Sequence, residues 1–242
     1  LKELLKDVPV PKMIKIRQSF NADEIVDVSG ALSSALADSG QLDLIKPGMR
    51  IAIAAGSRGV AQLPALVRTA ADEVKKRGGK PFVVPAMGSH GGATAEGQAE
   101  VLFHLGVSES TVGCPIVSSM EVVALSRLPN GMPVYMDKHA YESDGIIVIN
   151  RIKPHTAFRG PNESGLVKMI TIGLGKQKGA ESCHAYGFKL MHSFIPAMAR
   201  EALAHAPILF GIATVENAYD HVAKVVVAGA DTLIETDRQL LI

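Results

Sequence analysis

The chain has 242 residues, 47% of them hydrophobic, and a formal net charge of +1. That is enough apolar material for a substantial core, and too balanced a charge to call for nucleic acid or a membrane surface as partner. No apolar run reaches transmembrane length, the opening Leu1-Lys2-Glu3-Leu4-Leu5-Lys6 is too polar for a secretory signal, and Cys114 and Cys183 form no spacing motif, which suggests a reducing cytoplasm.

In chain order, Met13-Ile14-Lys15-Ile16-Arg17 alternates and predicts an edge strand. Val28 to Asp38 is Ala- and Leu-rich and predicts a helix. Arg50 to Ala54 predicts a strand, followed by Ala55-Gly56-Ser57-Arg58-Gly59. A helix is expected from Leu63 to Arg77, with a basic last turn and a stop at Gly78-Gly79. Pro81 to Pro85 is the next strand, then comes Ala86-Met87-Gly88-Ser89-His90-Gly91-Gly92, and Thr94 caps a helix from Ala95 to Leu105. Met120 to Leu128 and Met132 to Lys138, joined by Pro129-Asn130-Gly131, predict an antiparallel hairpin, inserted or at an edge. The sheet resumes at 145–150. A helix from Ser193 to His205, strands from Ile208 to Val215 and Ala223 to Val227, and a last helix capped by Asp231 complete the chain. Strand–loop–helix, twice over, argues for a Rossmann-like α/β fold: a doubly wound, mostly parallel sheet with a hairpin insertion, as one domain over 1–242. The sequence has no initiating Met and stops inside a helical pattern at Leu240-Leu241-Ile242, so a longer parent protein is expected.

Right-handed crossovers bring the post-strand loops to one edge of such a sheet. Three polar stretches follow strands: Gly56 to Gly59, Gly88 to Gly92, and Arg151 to His184. The last holds two histidines (155 and 184) and four lysines (153, 168, 176 and 178) with almost no acid. Arg58 taken alone is best read as a turn residue. The glycines around His90 permit close approach of a ligand and favour function there. His155, stiffened by Pro154, reads equally well as functional or structural. Lys168 lies in an apolar run, where a lysine must snorkel, meet an anion or serve as a nucleophile. Cys183-His184 is weak evidence for a metal site. His104, His205 and His221 carry no special signal, and the P-loop, zinc and dinucleotide signatures are missing.

These residues resemble the N-terminal domain of the nickel-dependent lactate racemase family. The likeness covers most of the chain and is densest at Ser57-Arg58, Gly88-Ser89-His90 and Lys153-Pro154-His155 through Lys168 to His184. The resemblance implies a nickel pincer nucleotide cofactor (pyridinium-3,5-bisthiocarboxylic acid mononucleotide nickel), linked through Lys168 and completed at the metal by His184, sixteen residues later. It implies His90 and His155 as the acid–base pair, Arg58 on the substrate carboxylate, and Ser57, Gly88 and Ser89 against the cofactor. The implied activity is racemisation or epimerisation of a small 2-hydroxy acid through a 2-keto acid, with imidazoles trading the hydroxyl proton. A further C-terminal domain that closes over the site is implied beyond residue 242. The chain departs from the family at Ala55, where the family has Asp, and in the longer segment Arg159-Gly160-Pro161-Asn162-Glu163.

Two other readings stand beside this one. A non-catalytic module would hold a nucleotide or phosphorylated metabolite with Lys153, Arg159, Lys176 and Lys178. A metallohydrolase would use His155 and His184 as ligands, with only Glu163 and Glu181 near in sequence to supply acid.

Overall fold

The computed structural model describes residues 3, 6–9 and 11–241 of the chain, and of Phe188 the backbone alone. The expectations that rest on Leu1, Lys2, Leu4, Leu5 and Ile242 lie outside the described residues.

One mostly parallel sheet organises the fold. Its strands are β1 (Arg50–Ala55), β2 (Lys80–Pro85), β5 (Gly145–Arg151), β6 (Ile208–Glu216) and β7 (Val222–Gly229), in the order β2-β1-β5-β6-β7. β1 pairs in parallel with β2 and β5, β5 with β6, and β7 closes the edge antiparallel to β6. The hairpin strands β3 (Val122–Arg127) and β4 (Pro133–Asp137) form a separate two-stranded sheet rather than an edge of the main one.

Alternation along the strands divides the core between the two faces of the sheet. Ile51, Ile53, Val83, Ile147 and Ile149 pack against α1 (Val28–Ser39) and α2 (Leu63–Lys76) through Leu32, Leu36, Leu66 and Val67. Ala52, Ala54, Val84, Ile146 and Val148 face the other way, and share a core with the hairpin's Val134 and Met136. α3 (Ala95–His104) adds Leu102 to the first of these cores, whereas α4 (Lys176–His184), α5 (Met191–His205) and α6 (Leu233–Leu240) pack into the second. α5 contributes Ile195, Met198 and Ala202 to the second core.

The structure corrects several expectations. Met13 to Arg17 forms no strand: Met13, Ile14 and Ile16 are 88%, 85% and 73% exposed, so the alternation has no face to bury. Asp231 does not cap the last helix, whose N-cap is Thr232 without a side-chain bond. The stretch from Leu166 onward is helical rather than a polar loop. Leu166–Lys168 begins an α turn, Met169–Gly173 continues as a π turn closed by Leu174 N–H to the Met169 carbonyl at 2.8 Å, and α4 follows. Burial of Leu166, Val167, Ile170 and Leu174 outweighs the helix-weakening effect of Gly173 and Gly175.

Candidate functional site

The loops after β1, β2 and β5 leave the same edge of the sheet, as parallel strands require. Between them and the helical segment 166–184 lies a cavity of about 410 Å³. It is lined by Ser57 and Arg58, by Gly88, Ser89 and His90, by Lys153 and His155, and by Lys168 and His184. Residues far apart in sequence thus meet in one place, within the ~300–1,000 Å³ usual for small-molecule pockets.

His90 leaves β2 on a tight turn, with its amide donating to the Met87 carbonyl. Its ring Nδ1 lies 2.5 Å from Ser57 Oγ, so the first two loops are joined at the cavity wall. Gly88 sits at φ +60° and donates its amide to the Gly173 carbonyl of the π turn at 3.1 Å. A Cβ on Gly173 would fall 2.7 Å from the Ala86 carbonyl, so glycine there is what lets the two backbones touch. Gln98 of α3 donates its side-chain amide to the carbonyls of Gly88 and His90.

The loop that carries His155 is organised by Glu163. This buried carboxylate accepts the amides of His155 at 2.6 Å and Gly160 at 3.0 Å. Arg159 donates to the His155 carbonyl and lies 3.5 Å from Glu163. The ring of His155 packs 4.4 Å from that of Phe158. Its Nδ1 accepts the Ala157 amide at 3.1 Å. An amide can only donate, so the neutral ring carries its hydrogen on Nε2. The partner of His90 is a hydroxyl, which donates or accepts, so that ring is free to hold either tautomer.

Lys168 ends the short α turn and points into the cavity wall where the π turn begins. Asp237 of α6 holds the start of that turn. It accepts the Val167 amide at 3.2 Å and the Asn162 side chain at 2.9 Å, and burial pushes its carboxyl pKa up. Asn150, at the end of β5, donates to the Gly165 carbonyl at 2.8 Å. π turns recur at functional sites because they re-aim side chains on an otherwise regular helix.

The electrostatics are those of an anion site. Burial first and Arg58 second push the Lys168 pKa down to about 8, with Cys183 opposing and Lys153 adding a smaller push in the same direction. Burial and then Lys168 push His155 down to about 4, with Glu163 opposing. His90 is lowered by burial, Arg58 and Lys168, and His184 by burial and Lys168. Three histidines from separate segments therefore respond to the same ammonium. Among the described residues the side chains of Arg58, Lys153 and Lys168 make no ion pair, and no carboxylate lines the cavity.

Other candidates do not converge there. Lys176 is fully buried and paired with Asp137 at 3.1 Å, Arg159 bonds within its own loop, and Lys178 lies near the hairpin, so of the proposed basic set only Lys153 reaches the cavity. Glu163 is committed to backbone amides and Glu181 to Gln177, and no three His, Cys, Asp or Glu side chains converge as a metal cage among the described residues. The metallohydrolase reading loses its acidic ligands. Ala55, where the resemblance leads one to expect Asp, is fully buried at the end of β1. Sequence reasoning missed the supporting roles of Gln98, Asp137, Asp237 and Lys176. Nothing in their immediate sequence marks them, since Gln98, Asp237 and Lys176 stand among other polar residues and Asp137 simply ends a strand.

The comparisons with known proteins bear on the fold and the family. No curated protein sequence matches the chain. The structure of the lactate racemase apoprotein from Thermoanaerobacterium thermosaccharolyticum is similar in fold, with a TM-score of 0.65 at 14% sequence identity. The match covers 87% of this chain and 54% of that one, so the chain spans about half the length of that protein. The family profile of the lactate racemase N-terminal domain matches residues 5–193, which take in β1, β2, β5 and every cavity residue named above, and the chain belongs to that family.

Proposed function

We propose that the cavity serves racemisation or epimerisation of a small 2-hydroxy acid, with a nickel pincer nucleotide attached at Lys168. The observation that carries this reading is the convergence of Arg58, His90, His155, Lys168 and His184 on one cavity without a carboxylate. When bound, such a cofactor supplies reversible uptake of hydride from a carbon whose hydrogen is not acidic.

The residues present suit that group. Lys168 is held partly as free amine, the form that makes an acyl-type bond. His184 is kept neutral, the form in which imidazole binds a metal. With no cage of three protein ligands among the described residues, nickel at His184 would take its other donors from the sulfurs of the cofactor, a soft set that nickel accepts. The unpaired cations suit a nucleotide phosphate.

The chain's own residues do the rest. The Arg58 fork holds the substrate carboxylate. His90 takes or returns the hydroxyl proton at Nε2, with the Ser57 hydroxyl following its tautomer at Nδ1. His155, neutral near pH 7, serves the other side of the substrate. The reading also expects a further domain, beyond residue 242, to close over the site.

Mass spectrometry after co-expression with the cofactor-making enzymes tests the proposal, alongside racemisation rates on a panel of 2-hydroxy acids. An adduct on Lys168 with turnover of one member is expected. An unmodified Lys168, under conditions that load a known racemase, would overturn it.

A further inference from the structure

We infer that Lys176 is a positioning residue, the buried tie that holds the His90 loop in register with the helix that ends at His184. The inference rests on the reading of His90 as a working group of the cavity.

Lys176 is an unusual residue for its place. It is fully buried, yet it opens α4, where a cation has the wrong sign for the helix dipole. Its backbone stands at φ +54°, a region a long side chain seldom adopts. Such a residue persists when its side chain is held by something specific.

What holds it spans separate parts of the fold. The ammonium donates to the Pro85 carbonyl at 2.5 Å, where β2 ends and the His90 loop begins, and to Gln98 Oε1 at 3.0 Å. Asp137 Oδ2, at the end of β4, lies 3.1 Å away as an ion pair, off the line of a well-directed hydrogen bond. An ammonium has three hydrogens, and each has an acceptor or a counter-charge. Asp137 is itself fixed, since its Oδ1 accepts the Ala140 amide and its own amide donates to the Leu174 carbonyl.

Gln98 passes the constraint on. With its oxygen facing Lys176, its NH₂ must face the other way, and there it meets the carbonyls of Gly88 at 2.9 Å and His90 at 3.2 Å. The chain of contacts therefore runs from the first residue of α4 through Gln98 to the backbone of His90. A lysine serving only the core would need Asp137 alone. This one also orients an amide whose donors go to the acid–base loop.

The test uses Gln98→Met in the intact protein. It removes the link to His90 while leaving Lys176 its ion pair and the Pro85 carbonyl. The double variant Lys176→Met with Asp137→Asn removes both charges together, so that neither is left buried alone. Imidazole ¹⁵N spectra, which report tautomer and ring hydrogen bonding, are recorded on cofactor-free protein. Both variants should move the His90 ring signals and leave those of His155 in place. In loaded enzyme kcat should fall by ~10-fold or more with KM within ~3-fold, the pattern of a misplaced group rather than lost substrate binding. Unchanged His90 signals in Gln98→Met would overturn the inference. The spectra need no turnover, so an enzyme without racemase activity would sink the functional reading and still leave this one decided.

Discussion

Lys168 offers the most direct chemical test of the site. Its pKa stands at about 8 against an ordinary 10.5, through burial first and the Arg58 charge second. At pH 7 a lysine of pKa 8 is about 10% free amine, whereas one of 10.5 is about 0.03%, a ~300-fold difference in the reactive form. Lower basicity weakens the intrinsic nucleophilicity of the amine, so the net gain in rate is smaller, on the order of 10- to 100-fold. Competitive labelling with trace acetic anhydride, read by peptide mass spectrometry from pH 6 to 11, measures this in cofactor-free protein. Lys168 should acetylate with a midpoint near 8, and Arg58→Met should move that midpoint upward without reaching 10.5, because burial is the larger cause. A midpoint that coincides with the surface lysines, or one indifferent to Arg58, would refute the electrostatic account of the cavity.

Further outcomes follow from the contacts around the site. Glu163→Gln removes the charge from a carboxylate that holds two amides, and should cost about 1–3 kcal/mol of stability in urea melts. It should also loosen the His155 loop, seen as faster amide exchange at His155 and Gly160. His184→Ala should lower nickel content in loaded protein by metal analysis, while His90→Ala and His155→Ala should abolish net racemisation and keep the Lys168 adduct; nickel lost from His155→Ala but retained in His184→Ala would reverse the roles. The folded-state pKa of His155, about 4, lies below its unfolded value of 6.5. Between those values the unfolded chain binds more protons, so His155 contributes stability that is present above pH 6.5 and lost as pH falls towards 4. His155→Phe should flatten that part of the stability–pH curve, measured by denaturant titration at each pH.

Much of this was legible in the sequence, for physical reasons that also explain the rest. β1, β2 and β5 are runs buried on both faces, bounded by glycine and proline, and such runs announce a parallel sheet. Once the sheet is parallel, its post-strand loops must share an edge, so the meeting of His90, His155 and Arg58 was foreseeable. The helical course of 166–184 was hidden because Gly165, Gly173 and Gly175 read as loop residues, whereas close backbone packing against the 86–88 segment is what uses Gly173. Lys176 read as a basic ligand-holder because nothing local marks Asp137, thirty-nine residues earlier, as its partner. Met13 to Arg17 failed for the converse reason: alternation states which face would be buried, and needs a partner to bury it.

The two histidines that a racemase would set on opposite sides of its substrate are not held alike, and this bears on how the reaction could run in both directions. His90 faces Ser57, whose hydroxyl follows either tautomer, so Nε2 can alternate between acceptor and donor at no cost in hydrogen bonds. His155 faces the Ala157 amide, which only donates, so Nε2 is fixed as a donor while that bond lasts. For His155 to take a proton at Nε2, its Nδ1 must first carry hydrogen, and the 155–157 turn must then give up the amide. That turn is pinned from behind by Glu163 and Arg159, and its His155 and Ala157 line the cavity in front. A substrate or cofactor seated there is in contact with the very segment that sets the tautomer. On this geometry, the adaptable half of the proposed acid–base pair is built into Ser57 and His90, and the half that must be switched by its surroundings is His155.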